Sequence, residues 1–392
     1  PDNHHPLTVP SRAVTPEHRV SGGLAPATPP RGSGILLHIA SLPGPEGIGT
    51  LGASAHAVID WLAQAGLNYW QVLPTCEGGA DHSPYSSPTS LVGSPWLIDL
   101  SDLHSEGLLN AEQLEQSLDR GDGPINFDAV QKRKWPALHA AAVFLLAQPL
   151  HPLHVQWKHW RSNNGWVTDT ALFQAIRSEQ GDQPWWLWEP GLRDRNPKDM
   201  AAIRDRLNTE ATIREVLAFL FDHQWNQLQQ KAIRHNIWLF GDLPIYVAHN
   251  SVDVWANRAL FTLDETGQTT HMAGVPPDAF SETGQLWRNP LYDWDAMAKN
   301  QYAWWVHRLR RSLYWTPVLR IDHFRGFSAY WAVPNQADNA TEGEWMTGPG
   351  LPIFDRFRTV LGGQWLVAED LGEIDEAVHK LRQKAGLLCT RV

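Results

Sequence analysis

The chain has 392 residues, a formal net charge of −10 and 43% hydrophobic residues. That suits one large α/β barrel or two modest domains, and the acidic balance argues against nucleic acid or an anionic membrane as partner. No apolar run approaches the roughly 18 residues of a membrane span, and Cys76 and Cys389 form neither a disulfide framework nor a metal-ligand spacing, so a reducing cytoplasm is expected.

Residues 1–33 combine Pro1, Pro6, Pro10, Pro16, Pro26, Pro29 and Pro30 with "SGG" and "RGSG", without apolar periodicity or a signal-peptide core, and are expected to be a flexible tail or linker. "GILLHIA" (34–40) is strand-like. "SAHAVIDWLAQAG" (54–66) sets Val58, Ile59, Trp61, Leu62 and Ala65 at helical spacing and stops at Gly66; "NYWQVLP" (68–74) returns to strand and completes a βαβ unit. The Gly/Ser/Pro loop that follows, over 75–100, is long enough to suggest function.

Residues 101–236 read mostly helical, above all "AVQKRKWPALHAAAVFLLAQ" and "IREVLAFLFDHQWNQLQQKAIRHN", as an inserted helical subdomain would. "IWLFGDLPIYV" (237–247) is a third strand. A helix over 294–315 leads to a fourth, "VLRIDHFRGF" (318–327), and "QWLVAEDLG" (364–372) is a fifth, followed by a helix over 374–386. The closing "LLCTRV" reads like the beginning of a sixth. The expected fold is α/β: a TIM (β/α)8-type barrel over 34–392, with a helical insertion at about 101–236 and the strands beyond about the fifth missing.

Barrel enzymes carry their chemistry at the C-terminal ends of the strands. Three strands here run into an acid: Asp242 in "LFGDLP", Asp322 in "LRIDHF" and Glu369 in "LVAEDLG". Each follows an apolar run, where an ionised group is costly without a partner. In retaining glycosyl transfer one carboxylate attacks the anomeric carbon and a protonated one serves the leaving oxygen. Arg320, on the same strand face as Asp322, would hold that nucleophile's pKa down, and Trp365 and Val367 would raise that of Glu369 by desolvation. The alternative is a Mg²⁺-dependent barrel lyase, in which successive strand-end acids bind the metal. Arg320 beside a would-be ligand fits that poorly, and it leaves 21 tryptophans unexplained. Aromatic faces suit oligosaccharides, although many of these indoles belong to the core. A sugar-binding protein without catalysis is a third reading.

Several long motifs in order, "SGILLHIASLPGPEGIGTLG", "SPYSSPTS", "GDLPIYVAHNSVDVWAN", "GVPPDAFSETGQLWRNPLYDW", "RIDHFRGF" and "AEDLG", make the chain resemble the amylomaltases (4-α-glucanotransferases) of the α-amylase superfamily from about residue 31 onward. The resemblance implies transfer of α-1,4-glucan segments between malto-oligosaccharides, with glucose or maltose as acceptor, and neither cofactor nor metal. It implies Asp322 as nucleophile, Glu369 as acid/base, Arg320 beside the nucleophile and His323 as a donor to a sugar hydroxyl. Asp242 is a carboxylate near the site, Tyr85 an aromatic platform, Gln285 and Trp287 part of a loop closing over the glucan, and Asp278 part of a lid. His38 is expected to be a satisfied core histidine.

Arg288 stands where the family usually has glycine, and Ser94 where it tends to have asparagine. The family's third catalytic carboxylate, in a His-Asp-Asn motif on a later strand, has no counterpart here. Residues 1–392 by themselves are therefore expected to be poorly soluble and inactive.

Overall fold

A computed structural model describes residues 29–391 apart from 120, 122, 280, 372 and 373. Most of the expected N-terminal tail, residues 1–28, lies outside the described residues.

Ten strands occur among the described residues: β1 Gly34–Leu36, β2 Tyr69–Gln71, β3 Trp238–Pro244, β4 His271–Val275, β5 Gln285–Pro290, β6 Val318–Asp322, β7 Ala329–Pro334, β8 Glu344–Thr347, β9 Trp365–Ala368 and β10 Leu388–Cys389. Six of them form one sheet in the order β1-β2-β3-β6-β9-β10, every pair parallel. This is the wall of a (β/α) barrel, and the two residues of β10 are the sixth strand that "LLCTRV" suggested.

Side-chain alternation gives the wall its two faces. Leu319 and Ile321 on β6, with Leu366 and Ala368 on β9, are buried in one apolar cluster with the helices Ala303–Trp315, Leu351–Leu361 and Glu376–Ala385. Trp70, Val72 and Leu239 join a second cluster with the helix Ala53–Gln64 and the helices between β2 and β3, chiefly Phe127–Ala147 and Asn208–Arg234. The alternate residues, Asp242 on β3, Arg320 and Asp322 on β6 and Val367 on β9, therefore share the inner face.

The loop after β2 lies against the long helix Asn208–Arg234, and at Gly93 a side chain is excluded: a Cβ there would meet the Phe221 ring at 2.1 Å. The same loop is held by Asp253, whose carboxylate accepts from the Ser90 N–H and hydroxyl at 2.8 and 2.7 Å.

The structure departs from the sequence reading in three places. The helix expected over 294–315 is two helices, Trp294–Lys299 and Ala303–Trp315, because Gln301 and Tyr302 take left-handed φ values of 58° and 55°. Asp242 does not end its strand; β3 runs on to Pro244, and Asp242 lies one inward layer below Asp322, opposite Arg320. Finally, β4, β5, β7 and β8 form an antiparallel sheet in the order β5-β4-β7-β8, which was not anticipated. Between β4 and β5 the register shifts, so that Trp287, Arg288 and Asn289 bulge between the paired positions Leu286 and Pro290. Bulges of this kind re-aim side chains beside active sites.

Candidate active site

Strand β6 delivers Arg320 and Asp322 to the inner face, and the chain then turns sharply. His323 adopts φ 49°, ψ 48°, a left-handed conformation that costs a residue with a Cβ on the order of 1–3 kcal/mol. The turn aims the His323 N–H at Glu369, whose Oε2 accepts it at 2.9 Å. Glu369 Oε1 accepts from the Leu371 N–H at 2.9 Å. Ile321 pairs with Ala368, so Asp322 and Glu369 follow as the next residues of adjacent strands, whose spacing is about 4.8 Å.

Arg320 bridges two carboxylates. Its Nη1 donates to Asp242 Oδ1 and Oδ2 at 2.8 and 3.0 Å, and its Nη2 meets Asp322 Oδ1 at 2.8 Å. The Tyr85 hydroxyl donates to Asp242 Oδ2 at 2.6 Å, which ties the loop after β2 to the floor of the site. On the opposite side the Trp287 ring stands edge-on to His323, centroids 4.7 Å apart at 88°, with Tyr246 6.2 Å from Trp287. Gln285 Oε1 accepts from the Trp287 indole N–H at 3.1 Å.

The carboxyls bind their protons more tightly than ordinary ones. Burial pushes Asp242 up to about 6, against the opposing effects of Arg320 and the Tyr85 hydroxyl. Burial also raises Asp322, with Arg320 opposing. Glu369 is raised by burial and by the charge of Asp322, while the Leu371 and His323 N–H groups and Arg320 oppose. His323 is lowered to about 4 by burial and by Arg325, so its ring is neutral near pH 7.

Of the residues singled out in the sequence, Tyr85, Asp242, Arg320, Asp322, His323 and Glu369 are joined by direct bonds, and Gln285 and Trp287 border them through His323. Asp278 Oδ1 accepts from the Ser281 N–H at 2.8 Å within the segment between β4 and β5.

Three expectations need correction. Arg320 does not bring Asp322 below the ordinary carboxylate range, because burial outweighs it and Asp242 takes two of its contacts. Trp365 cannot desolvate Glu369: it begins β9, four residues earlier, and packs on Trp238 with centroids 4.8 Å apart. His38 is half-buried, and its Nδ1 has no partner among the described residues, so it is not a satisfied core histidine. Sequence reasoning missed Tyr246 and the Asp253–Ser90 tie. The buried acid in "SVDVW" was the available signal for the second.

A family model described as 4-alpha-glucanotransferase matches residues 37–392. The 4-alpha-glucanotransferase of Thermus thermophilus is 40% identical over 361 residues, an alignment covering 91% of this chain and 71% of that protein. That of Synechocystis sp. is 41% identical over 357 residues, covering 90% and 71%. Among solved structures, the amylomaltase from Streptococcus agalactiae in complex with acarbose superposes with a TM-score of 0.88 at 34% identity, covering 92% of this chain and 73% of that one.

Proposed function

The chain belongs to the 4-alpha-glucanotransferase family, and on that premise we propose that Asp322 and Glu369 move α-1,4-glucan segments from a donor maltodextrin to an acceptor sugar by retaining double displacement. The observation that carries this reading is the placement of the two acids at neighbouring strand ends, Asp322 closing β6 and Glu369 directly after β9, with Glu369 held by the N–H of the residue after Asp322. Retention needs the two carboxyls about 5 Å apart, and neighbouring strands, about 4.8 Å apart, are compatible with that separation.

Asp322 has the direct guanidinium contact, which opposes the burial that raises its pKa, and serves as the anion. Its Oδ attacks the anomeric carbon while Glu369 gives its proton to the glycosidic oxygen, releasing the first product and leaving a glycosyl ester. An acceptor hydroxyl then enters, Glu369 takes its proton, the new glycosidic bond forms and the ester bond breaks. Two inversions retain the α configuration. Arg320 keeps Asp322 ionised between turnovers and Asp242 holds Arg320 in place. Tyr85 and Trp287 flank the sugar, and the neutral His323 ring serves as a hydrogen-bonding partner for a hydroxyl. Gln285 orients Trp287, and Asp278 shapes the turn of the segment that covers the glucan.

Among the described residues no helix is long and apolar enough to cross a membrane. With Cys76 and Cys389 both free, we assign the protein to the cytoplasm. The test of the mechanism is disproportionation of maltotriose by the complete enzyme: Asp322→Asn is expected to abolish it. Wild-type rates in that variant would place the nucleophile elsewhere.

A further inference from the structure

Among the described residues, eight other than glycine have a left-handed φ, and for seven the reason is local. Arg195 pairs with Asp169 at 2.7 Å and lies over the Trp255 ring. Asp182 accepts from Arg177, His82 stacks on Phe127, and His323 gives its N–H to Glu369. Asn236, Gln301 and Tyr302 lie in turns beside helix ends. Arg288 is the exception. Its φ is 63°, it is exposed, and among the described residues its guanidinium makes no hydrogen bond, ion pair or aromatic contact.

Its position is not arbitrary. Arg288 is the middle residue of the β5 bulge. On one side Trp287 stands edge-on to His323, the residue after Asp322. On the other, Asn289 anchors the bulge by donating from Nδ2 to the Val247 carbonyl at 2.9 Å. A strained conformation persists where something offsets its cost, and such residues gather at ligand clamps. Among the described residues the Arg288 side chain itself makes no contact that offsets it.

We propose that Arg288 is a specificity-determining residue of the transferase site, hydrogen-bonding the hydroxyls of the glucose unit next to the one that rests against Trp287. This rests on the reading of the cleft given above. The guanidinium is a planar fork of five donors with no acceptor, a fit for the paired hydroxyl oxygens of a sugar. The same fork would take a phosphate, but Asp242 and Asp322 together outweigh the Arg320 cation in the neighbouring site, and the residues flanking Arg288 are neutral, so an uncharged glucan is the ligand that fits. Glycine in this place would keep the bulge without the contact, so the arginine adds a binding position rather than a structural one.

The test uses the complete enzyme carrying Glu369→Gln, so that the ligand is consumed too slowly to disturb binding, and titrates maltoheptaose and glucose calorimetrically. Arg288→Gly and Arg288→Asn both tolerate a left-handed φ. Each is expected to weaken maltoheptaose binding about tenfold, the scale of a charge-assisted hydrogen bond, and to leave glucose binding, which fills one unit only, unchanged. Arg288→Gly is also expected to melt no lower than its parent. A maltoheptaose Kd within about twofold of the parent's in both variants would overturn the proposal. So would an equal loss for both sugars, which would mean that Trp287 had shifted rather than that a contact was lost. Failure of the catalytic assignment would appear separately, as turnover at the wild-type rate in the Glu369→Gln parent.

Discussion

The backbone N–H of His323 donates to Glu369 Oε2 at 2.9 Å, so the residue that follows one proposed catalytic carboxyl fixes the orientation of the other. The left-handed turn at His323 makes this bond, and the T-shaped contact with Trp287 holds the ring that the turn exposes. Strain at one residue thus couples the two acids and the aromatic wall.

The pH profile of kcat/KM should be bell-shaped. Activity needs Asp322 ionised and Glu369 protonated, so the acid limb belongs to the first and the alkaline limb to the second. Both are raised by burial, which moves both limbs up from the ordinary carboxylate range. His323, lowered to about 4, contributes no limb above that pH. Glu369→Gln should remove the alkaline limb and cost about 10²- to 10⁴-fold in rate. Arg320→Met should move the acid limb further up, because the cation opposing the rise in Asp322 is gone. An acid limb that stayed in place would show that Arg320 does not govern it.

Tyr85→Phe separates hydrogen bonding from stacking. The ring stays, but the 2.6 Å bond to Asp242 is lost and the pKa of Asp242 rises, since that bond opposes the rise. Steady-state kinetics should show kcat reduced about tenfold with KM little changed, matching the loss of one charge-assisted bond. Tyr85→Ala should raise KM as well.

Trp287→Ala should raise KM for maltodextrins about five- to tenfold, from lost stacking and a loosened His323 ring. The thermal midpoint should hardly move, because Trp287 is only partly buried against the core. A midpoint falling by more than about 5 °C would recast Trp287 as a packing residue.

Asp222→Ala should behave in the opposite way. Asp222 is buried and paired with Arg311 at 2.7 and 2.8 Å, and it also accepts from the Trp160 and Trp315 indoles at 2.9 Å. Its loss strands a buried guanidinium and should cost about 3–5 kcal/mol in denaturant unfolding. The kcat of the molecules that remain folded should be unaffected.

The barrel wall was legible because each of its longer strands is an apolar alternation broken by a polar residue, and period two maps directly onto faces. The acids were legible for the same reason: Arg320 and Asp322 share a parity that Leu319 and Ile321 do not. The antiparallel sheet was not legible. Its strands run through "HMAGV" and "QLWRNP", where Gly274, Pro290 and the β5 bulge break the alternation. The depth of Asp242 was hidden too, because its layer depends on the β3–β6 register, a long-range property. The proton affinity of Asp322 was misjudged by weighing a neighbouring charge without the burial that surrounds it.

The most direct measurement is mass spectrometry of the complete Glu369→Gln enzyme, quenched in acid after mixing with a maltosyl donor that carries a good leaving group. Such a donor needs no acid to form the glycosyl ester, but without the base the ester should accumulate. The account predicts a maltosyl adduct on the proteolytic peptide containing Asp322. An adduct on a peptide containing Asp242, or none while donor is consumed, would contradict it.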